Sequence, residues 1–247
     1  MESLEAELDR ARDLEVGVLA DAIESIGFEC TRCGACCKAV EGCASDDGGQ
    51  KAAEGAVDGH DHVATVFPDE VRRLQRAATE RDEPVSEDGV AYDWRDVARP
   101  MPYGLVDGPD GPEGETFEWA LQTDDCGDCR FYAETDGQGR CTVHADRPLV
   151  CRTYPFSVAL GGTSQPMGEA VNEEGMVRAH ECEGLGRDIS RTDAEELAAA
   201  LKERAVRELE EAIAVRDNYD PVETGPGEVV VHDSEGAKRP DGSAIER

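Results

Sequence analysis

The chain has 247 residues, ten of them cysteine, with 56 acidic against 25 basic residues and a formal net charge of −31. So negative a field repels polyanions and argues against a nucleic-acid partner, and no apolar run is long enough to span a bilayer, so no membrane role is expected. The acids are dispersed and the lysines are few (Lys38, Lys51, Lys202 and Lys238), the pattern of a halophilic surface whose self-repulsion concentrated salt screens.

In chain order, the acidic start Met1-Glu2-Ser3-Leu4-Glu5 lacks the basic, then apolar, pattern of a secretory signal, so a cytoplasmic protein is expected. Leu4, Leu8, Ala11, Val18, Ala22 and Ile26 recur at helical spacing and predict one helix over 4–26, ended by Gly27. Residues 44–61, rich in Asp, Gly and Ala without periodicity, read as a flexible surface insertion. Its His60 and His62 read as solvated. Pro68 opens a short helix through about Ala78, with Val71 and Leu74 inward. Residues 84–123 hold short strand candidates such as 116–122, and 104–114 reads as a loop. A hairpin turn is predicted at Asp136-Gly137-Gln138-Gly139, and a strand at 156–160.

The clearest element is a long helix that Thr192 and Glu195 begin as a capping box, with a stripe at Leu197, Leu201, Ala205, Leu209 and Ile213. Glu203 and Arg207 add an i,i+4 pair. The predicted fold is α+β: a small, irregular, cysteine- and metal-stapled core with short strands, flanked by N- and C-terminal helices. Residues 1–218 form one metal-binding domain with its cysteine core at 28–186. Residues 219–247 form a flexible acidic tail, with one strand at 228–232.

Cytoplasmic thiols are kept reduced, so clustered cysteines there point to metal binding or redox chemistry more than to a disulfide framework. The first block, Cys30-Thr31-Arg32-Cys33-Gly34-Ala35-Cys36-Cys37, lets three thiolates converge from one tight loop, with Gly34 supplying the backbone freedom to wrap a metal. Three such cysteines and a distant fourth suit an iron–sulfur cluster, and the same thiolates suit tetrahedral zinc. Cys37 follows Cys36 too closely to share one ion with it easily, so it reads as serving a second metal or another iron.

A second block runs Cys126-Gly127-Asp128-Cys129-Arg130-Phe131-Tyr132, Cys141, and Arg147-Pro148-Leu149-Val150-Cys151-Arg152-Thr153-Tyr154-Pro155-Phe156, followed by Cys182-Glu183-Gly184. With the C-x2-C-x2-C-C opening, this order resembles the YkgJ-like CxxCxxCC cysteine-cluster family, also described as a zinc- or iron-chelating domain or an iron–sulfur-cluster-containing protein. The resemblance runs from about Phe28 to Gly186. It implies a ligand set of Cys30, Cys33, Cys36, Cys37, Cys129, Cys141, Cys151 and Cys182, enough for two four-ligand sites. Cys43 and Cys126 are additions to the pattern. Cys126 makes a C-x2-C with Cys129 and is placed to replace or supplement a ligand, whereas Cys43 reads as a spare thiol.

Arg147 and Arg152 are expected to offset thiolate charge more than to bind a substrate, and Pro148 and Pro155 to fix the backbone around Cys151. His144 and His180 lie close in sequence to the ligand cysteines and could substitute for one, though each reads more readily as solvated or as an outer neighbour of the site. The expected function is metal binding, with an iron–sulfur cluster (4Fe-4S) or zinc as cofactor and a redox or electron-transfer role with a protein redox partner. Two alternatives stand beside it. One is a zinc-stapled binding or scaffold module. The other is a relative of a protein lysine N-methylase, since the cluster also resembles that of flagellin lysine N-methylases. No Gly-rich nucleotide fingerprint supports catalysis, and no catalytic residue can be singled out.

Overall fold

The computed structural model describes residues 2–39, 61–80, 92–165, 170–172 and 175–245. Cys43, His60 and the insertion read at 44–61, apart from Asp61, lie outside them. The fold is α+β, with six α-helices and several small sheets of short strands among the described residues.

The expected first helix is two: α1 (Leu4–Asp13) and α2 (Val16–Ile26), the second ending at Gly27. The break at Leu14 is held from outside, because Lys202 Nζ donates to the Leu14 carbonyl at 2.7 Å. The bend lets Leu8 and Ala11 of α1, and Leu19, Ala20 and Ile23 of α2, enter one core. After β1 (Thr65–Val66), α3 (Pro68–Thr79) starts at the proline as predicted. A short helix α4 (Trp94–Val97) and strand β2 (Ala98–Pro100) follow.

The expected loop at 104–114 is instead a hairpin of β3 (Val106–Gly108) and β4 (Gly111–Thr116). Its fixing partner lies over a hundred residues away, which is why local composition hides it. The strand expected at 116–122 is split between β4 and β5 (Trp119–Leu121), which joins β1 and β2 in a three-stranded sheet. Strands β6 (Tyr132–Thr135) and β7 (Gln138–Cys141) form the predicted hairpin. Its turn is Asp136-Gly137, both at positive φ, the backbone of a two-residue turn that suits strand twist.

Helix α5 (Leu149–Thr153) leads into β8 (Phe156–Val158), which pairs with β10 (Val177–His180) beside β9 (Ala170–Asn172). Helix α6 (Arg191–Asn218) begins one turn's edge earlier than predicted. Ser190, not Thr192, is its cap, accepting from the Asp193 amide at 3.1 Å. Glu195 is engaged by Arg191 at 2.8 Å, and Arg207 pairs with Asp69 of α3 instead of Glu203. Beyond α6, where an acidic tail with one strand was expected, β11 (Val229–Asp233) and β12 (Gly236–Lys238) pair with each other. β11 also lies parallel to β4.

Two hydrophobic cores result. The first packs α1 and α2 on α6 and includes Phe156, Val158 and Ala179. The second gathers Val71 and Leu74 of α3, Trp94, Trp119, Phe131, Val143 and Val231. Arg204 of α6 is buried where α5 meets α6, donating to Thr153 Oγ1 (3.1 Å), the Phe156 carbonyl (3.3 Å) and the Ser164 carbonyl (2.8 Å), and pairing with Glu208 at 2.8 Å.

Candidate metal centre

The cysteine loop begins where α2 ends, and main-chain bonds dock it on the Cys182 segment. Phe28 bridges Leu185, and the Glu29 amide donates to the Gly184 carbonyl at 3.0 Å. Here Gly184 has a reason: a Cβ at that position would stand 2.3 Å from the Glu29 carbonyl oxygen. The C-x-G step after Cys182 thus brings that cysteine alongside Cys30.

Past Cys33 the chain turns at Gly34, whose φ of +80° is left-handed, and forms a short 3₁₀ turn over Ala35–Cys37. Gly34 and Gly139 both lie against the Tyr132 ring, which a Cβ at either would approach to 2.7 Å. The Tyr132 hydroxyl donates to Glu134 at 2.6 Å, Lys38 sits over the ring, and the Gly139 amide donates to the Arg32 carbonyl at 2.8 Å. The first cysteine block is thereby laid against the β6–β7 hairpin.

The Cys37 carbonyl accepts from the Cys129 amide at 2.8 Å, and the Cys129 carbonyl from the Tyr132 amide at 2.8 Å. Cys141 stands opposite Tyr132 in the hairpin register. Cys151 lies in α5, whose first amide, that of Leu149, donates to the buried carboxylate of Glu70 at 3.0 Å. Burial raises the Glu70 pKa, against the lowering effect of the Leu149 and Phe67 amides.

All eight cysteines of the expected ligand set carry thiols outside any disulfide: Cys30, Cys33 and Cys36 are exposed, Cys129 is buried, and Cys37, Cys141, Cys151 and Cys182 are half-buried. The Sγ atoms of Cys36 and Cys37 are 3.9 Å apart. Cys126 is disulfide-bonded, so it has no thiolate with which to supplement the set.

The thiols differ in their electrostatics. Burial pushes the Cys129 thiol up to about 12, raises Cys151 well above the usual range, and raises Cys182. Cys37 is held protonated by its hydrogen bond to Cys36, then by burial and by the neighbouring thiols. Cys36 is lowered to about 7 by that same bond, with help from Arg147. Grouped thiolates repel one another, and a bound cation reverses that balance by deprotonating its ligands. Among the described residues no group of three or more His, Cys, Asp or Glu side chains is already gathered for a metal ion. An all-sulfur donor set fits zinc or an iron–sulfur cluster by its softness.

Arg147 lies within electrostatic reach of Cys36, and its Nε donates to the His144 carbonyl at 3.1 Å. Arg152 is exposed and makes no ion pair among the described residues. His144 is exposed, and His180 is buried with its Nε2 3.1 Å from Ser157 Oγ. Pro148 caps α5 as its N-terminal neighbour, and Pro155 follows Tyr154 in a cis peptide. Three site residues escaped the sequence reading: Tyr132, Tyr154 and Glu70. Tyr154 lies within electrostatic reach of Cys182, Cys36 and Cys33, and its hydroxyl donates to the Glu181 carbonyl at 2.5 Å. Its place in the R-P-x-x-C-R-x-Y-P-F segment was the one available signal; nothing local marks Glu70, which reaches the site through the fold.

A protein-family model, CxxCxxCC, described as "Putative zinc- or iron-chelating domain", matches residues 29–183, more than half of the chain. No curated protein and no solved structure matches it.

Proposed function

Because the chain belongs to the CxxCxxCC family of zinc- or iron-chelating domains, we propose that it is a metal-binding protein carrying an iron–sulfur cluster in a redox or electron-transfer role. The single observation that supports this reading is the presence, on five separate stretches within the family match, of eight thiols that are in no disulfide. Cys30, Cys33, Cys36, Cys37, Cys129, Cys141, Cys151 and Cys182 are the residues that would hold the metal. A bound cluster would supply one-electron chemistry. Cys30, Cys33 and Cys36 are exposed, which leaves part of the site open to a protein redox partner.

The residues around the thiols act on position and charge. Arg147 offsets negative charge at Cys36, Glu70 fixes the start of the helix bearing Cys151, and the Tyr132 ring sets the first loop against the hairpin. A second reading, a zinc-stapled binding or scaffold module, is favoured by the packing of Cys37, Cys129, Cys141 and Cys151 with the second core, since closed all-protein tetrathiolate sites are typical of structural zinc. No observation on the described residues favours the methylase reading.

Protein purified without oxygen, with iron, zinc and acid-labile sulfide quantified and an absorption spectrum recorded, tests the proposal. Iron with matching sulfide and broad visible absorption is expected. A colourless preparation with stoichiometric zinc and no sulfide would refute the iron–sulfur reading and favour the module.

A further inference from the structure

We propose that the eight thiols form two independent metal sites: a closed one of Cys37, Cys129, Cys141 and Cys151 inside the second core, and an open one of Cys30, Cys33, Cys36 and Cys182 at the surface. The inference rests on the metal-binding reading above and adds the pairing of residues and the different character of each site.

Packing gives the first argument. Cys37, Cys129, Cys141 and Cys151 all pack in the second hydrophobic core, beside Phe131 and Val143, and none of the other four does. Exposure divides them in the same way: the closed set is buried or half-buried, whereas three of the open four are exposed.

Main-chain connections give the second. The Cys129 amide bonds directly to the Cys37 carbonyl, and Cys141 sits across the hairpin from Tyr132, whose amide bonds to Cys129. The open set has its own ties, because the strand entering Cys30 is bridged to the segment leaving Cys182 through Phe28–Leu185 and Glu29–Gly184.

Mutual electrostatic reach separates the two sets except at Cys36, which acts on Cys37, Cys129 and Cys151 as well as on Cys182. The thiols acting most strongly on Cys182 are Cys36, Cys33 and Cys30. Those acting on Cys151 are Cys129, Cys141 and Cys36. Cys36 appears in both lists because it stands at the border, 3.9 Å from Cys37. In a 3₁₀ turn consecutive side chains point about a third of a circle apart. Such a turn sends Cys37 inward and leaves Cys36 at the surface, which resolves how two adjacent cysteines both serve as ligands.

The two sites should behave differently. Metal in the closed site is tied to folding, because its ligands come from the cysteine loop, the hairpin and α5, which only the folded chain brings together. Metal in the open site is held by a surface loop and is reachable by solutes.

The test uses the full chain, purified without oxygen, as wild type and as Cys33→Ser, Cys182→Ser, Cys129→Ser and Cys141→Ser. Metal per chain, absorption and melting temperature are read for each. Cys33→Ser and Cys182→Ser are expected to lose the same one of two metal centres, keep the other in full, and melt close to wild type. Cys129→Ser and Cys141→Ser are expected to lose the other centre with a large fall in melting temperature. Should the closed-site variants fail to fold, the open-site pair decides alone: retention of one intact centre supports the partition, and loss of all metal overturns it. A wild-type chain with one shared centre also overturns it and leaves the metal-binding function standing. A wild-type chain with no metal at all overturns both.

Discussion

Replacing Gly34 by alanine tests how the first cysteine loop is seated. Two costs combine at this position. The backbone is left-handed, with φ of +80°, which costs a non-glycine residue roughly 1–2 kcal/mol. The new methyl would also stand 2.3 Å from Tyr132 Oη and 2.7 Å from two ring carbons. That ring cannot swing away freely, because Glu134 holds its hydroxyl at 2.6 Å and Gly139 lies against it. Overpacking of this kind costs about 1–3 kcal/mol. The sum, about 2–5 kcal/mol, corresponds to a fall in melting temperature of about 4–20 °C for a chain of this size.

A double-mutant cycle separates the two. In a Tyr132→Ala background the ring is gone and only the backbone cost of Gly34→Ala remains, about 1–2 kcal/mol. Urea and thermal unfolding at fixed metal concentration measure each corner, because bound metal shifts apparent stability by mass action. An equal cost of Gly34→Ala in both backgrounds, within about 0.5 kcal/mol, would show that the loop is not seated on the ring.

Arg204→Met should destabilise the protein by about 3–5 kcal/mol, because it leaves the Glu208 carboxylate with the Ser164 donors but no cation and removes the donors to Thr153, Phe156 and Ser164. Adding Glu208→Gln should recover part of that loss in urea titrations, and a double variant no more stable than the single one contradicts the buried pair. His62, read from the sequence as solvated, is instead half-buried, and burial and then Arg99 push it down to about 4, against Asp128. Its folded pKa lies below its unfolded one, so its contribution to stability is present above about pH 6.5 and is lost as the pH falls toward 4. Its full size is about 3 kcal/mol. His62→Gln should flatten the stability profile across that window relative to wild type, and parallel profiles would count against a buried neutral imidazole. With a net charge of −31, the chain should melt higher in about 1 M potassium chloride, where screening shortens to about 3 Å. A melting temperature that stays flat or falls with salt contradicts the role of self-repulsion.

Much of the site was legible in the chain because thiol chemistry is local in type and spacing. The C-x2-C-x2-C-C run, the Asp136-Gly137 turn and the proline start of α3 each carry their own backbone instruction, and each appears where expected. Eight cysteines could be named from the resemblance, and the structure leaves all eight outside any disulfide. What spacing could not supply was their grouping. Cys36 and Cys37 are neighbours in sequence, yet one is exposed and the other packs in the second core, and only packing assigns them to different sides.

The same divide runs through the fold. Propensity and periodicity determined α3, α6 and the β6–β7 hairpin, whose hydrogen bonds close within a few residues. The break at Leu14, made by Lys202 from α6, depends on a partner far along the chain. So do the β3–β4 hairpin, paired with β11, and the strands beyond Asn218. The sequence by itself determined that this chain carries the CxxCxxCC pattern of a metal-chelating domain. The tertiary structure decided which thiols lie together and which face water, because burial and long-range strand pairing are properties of the assembled chain.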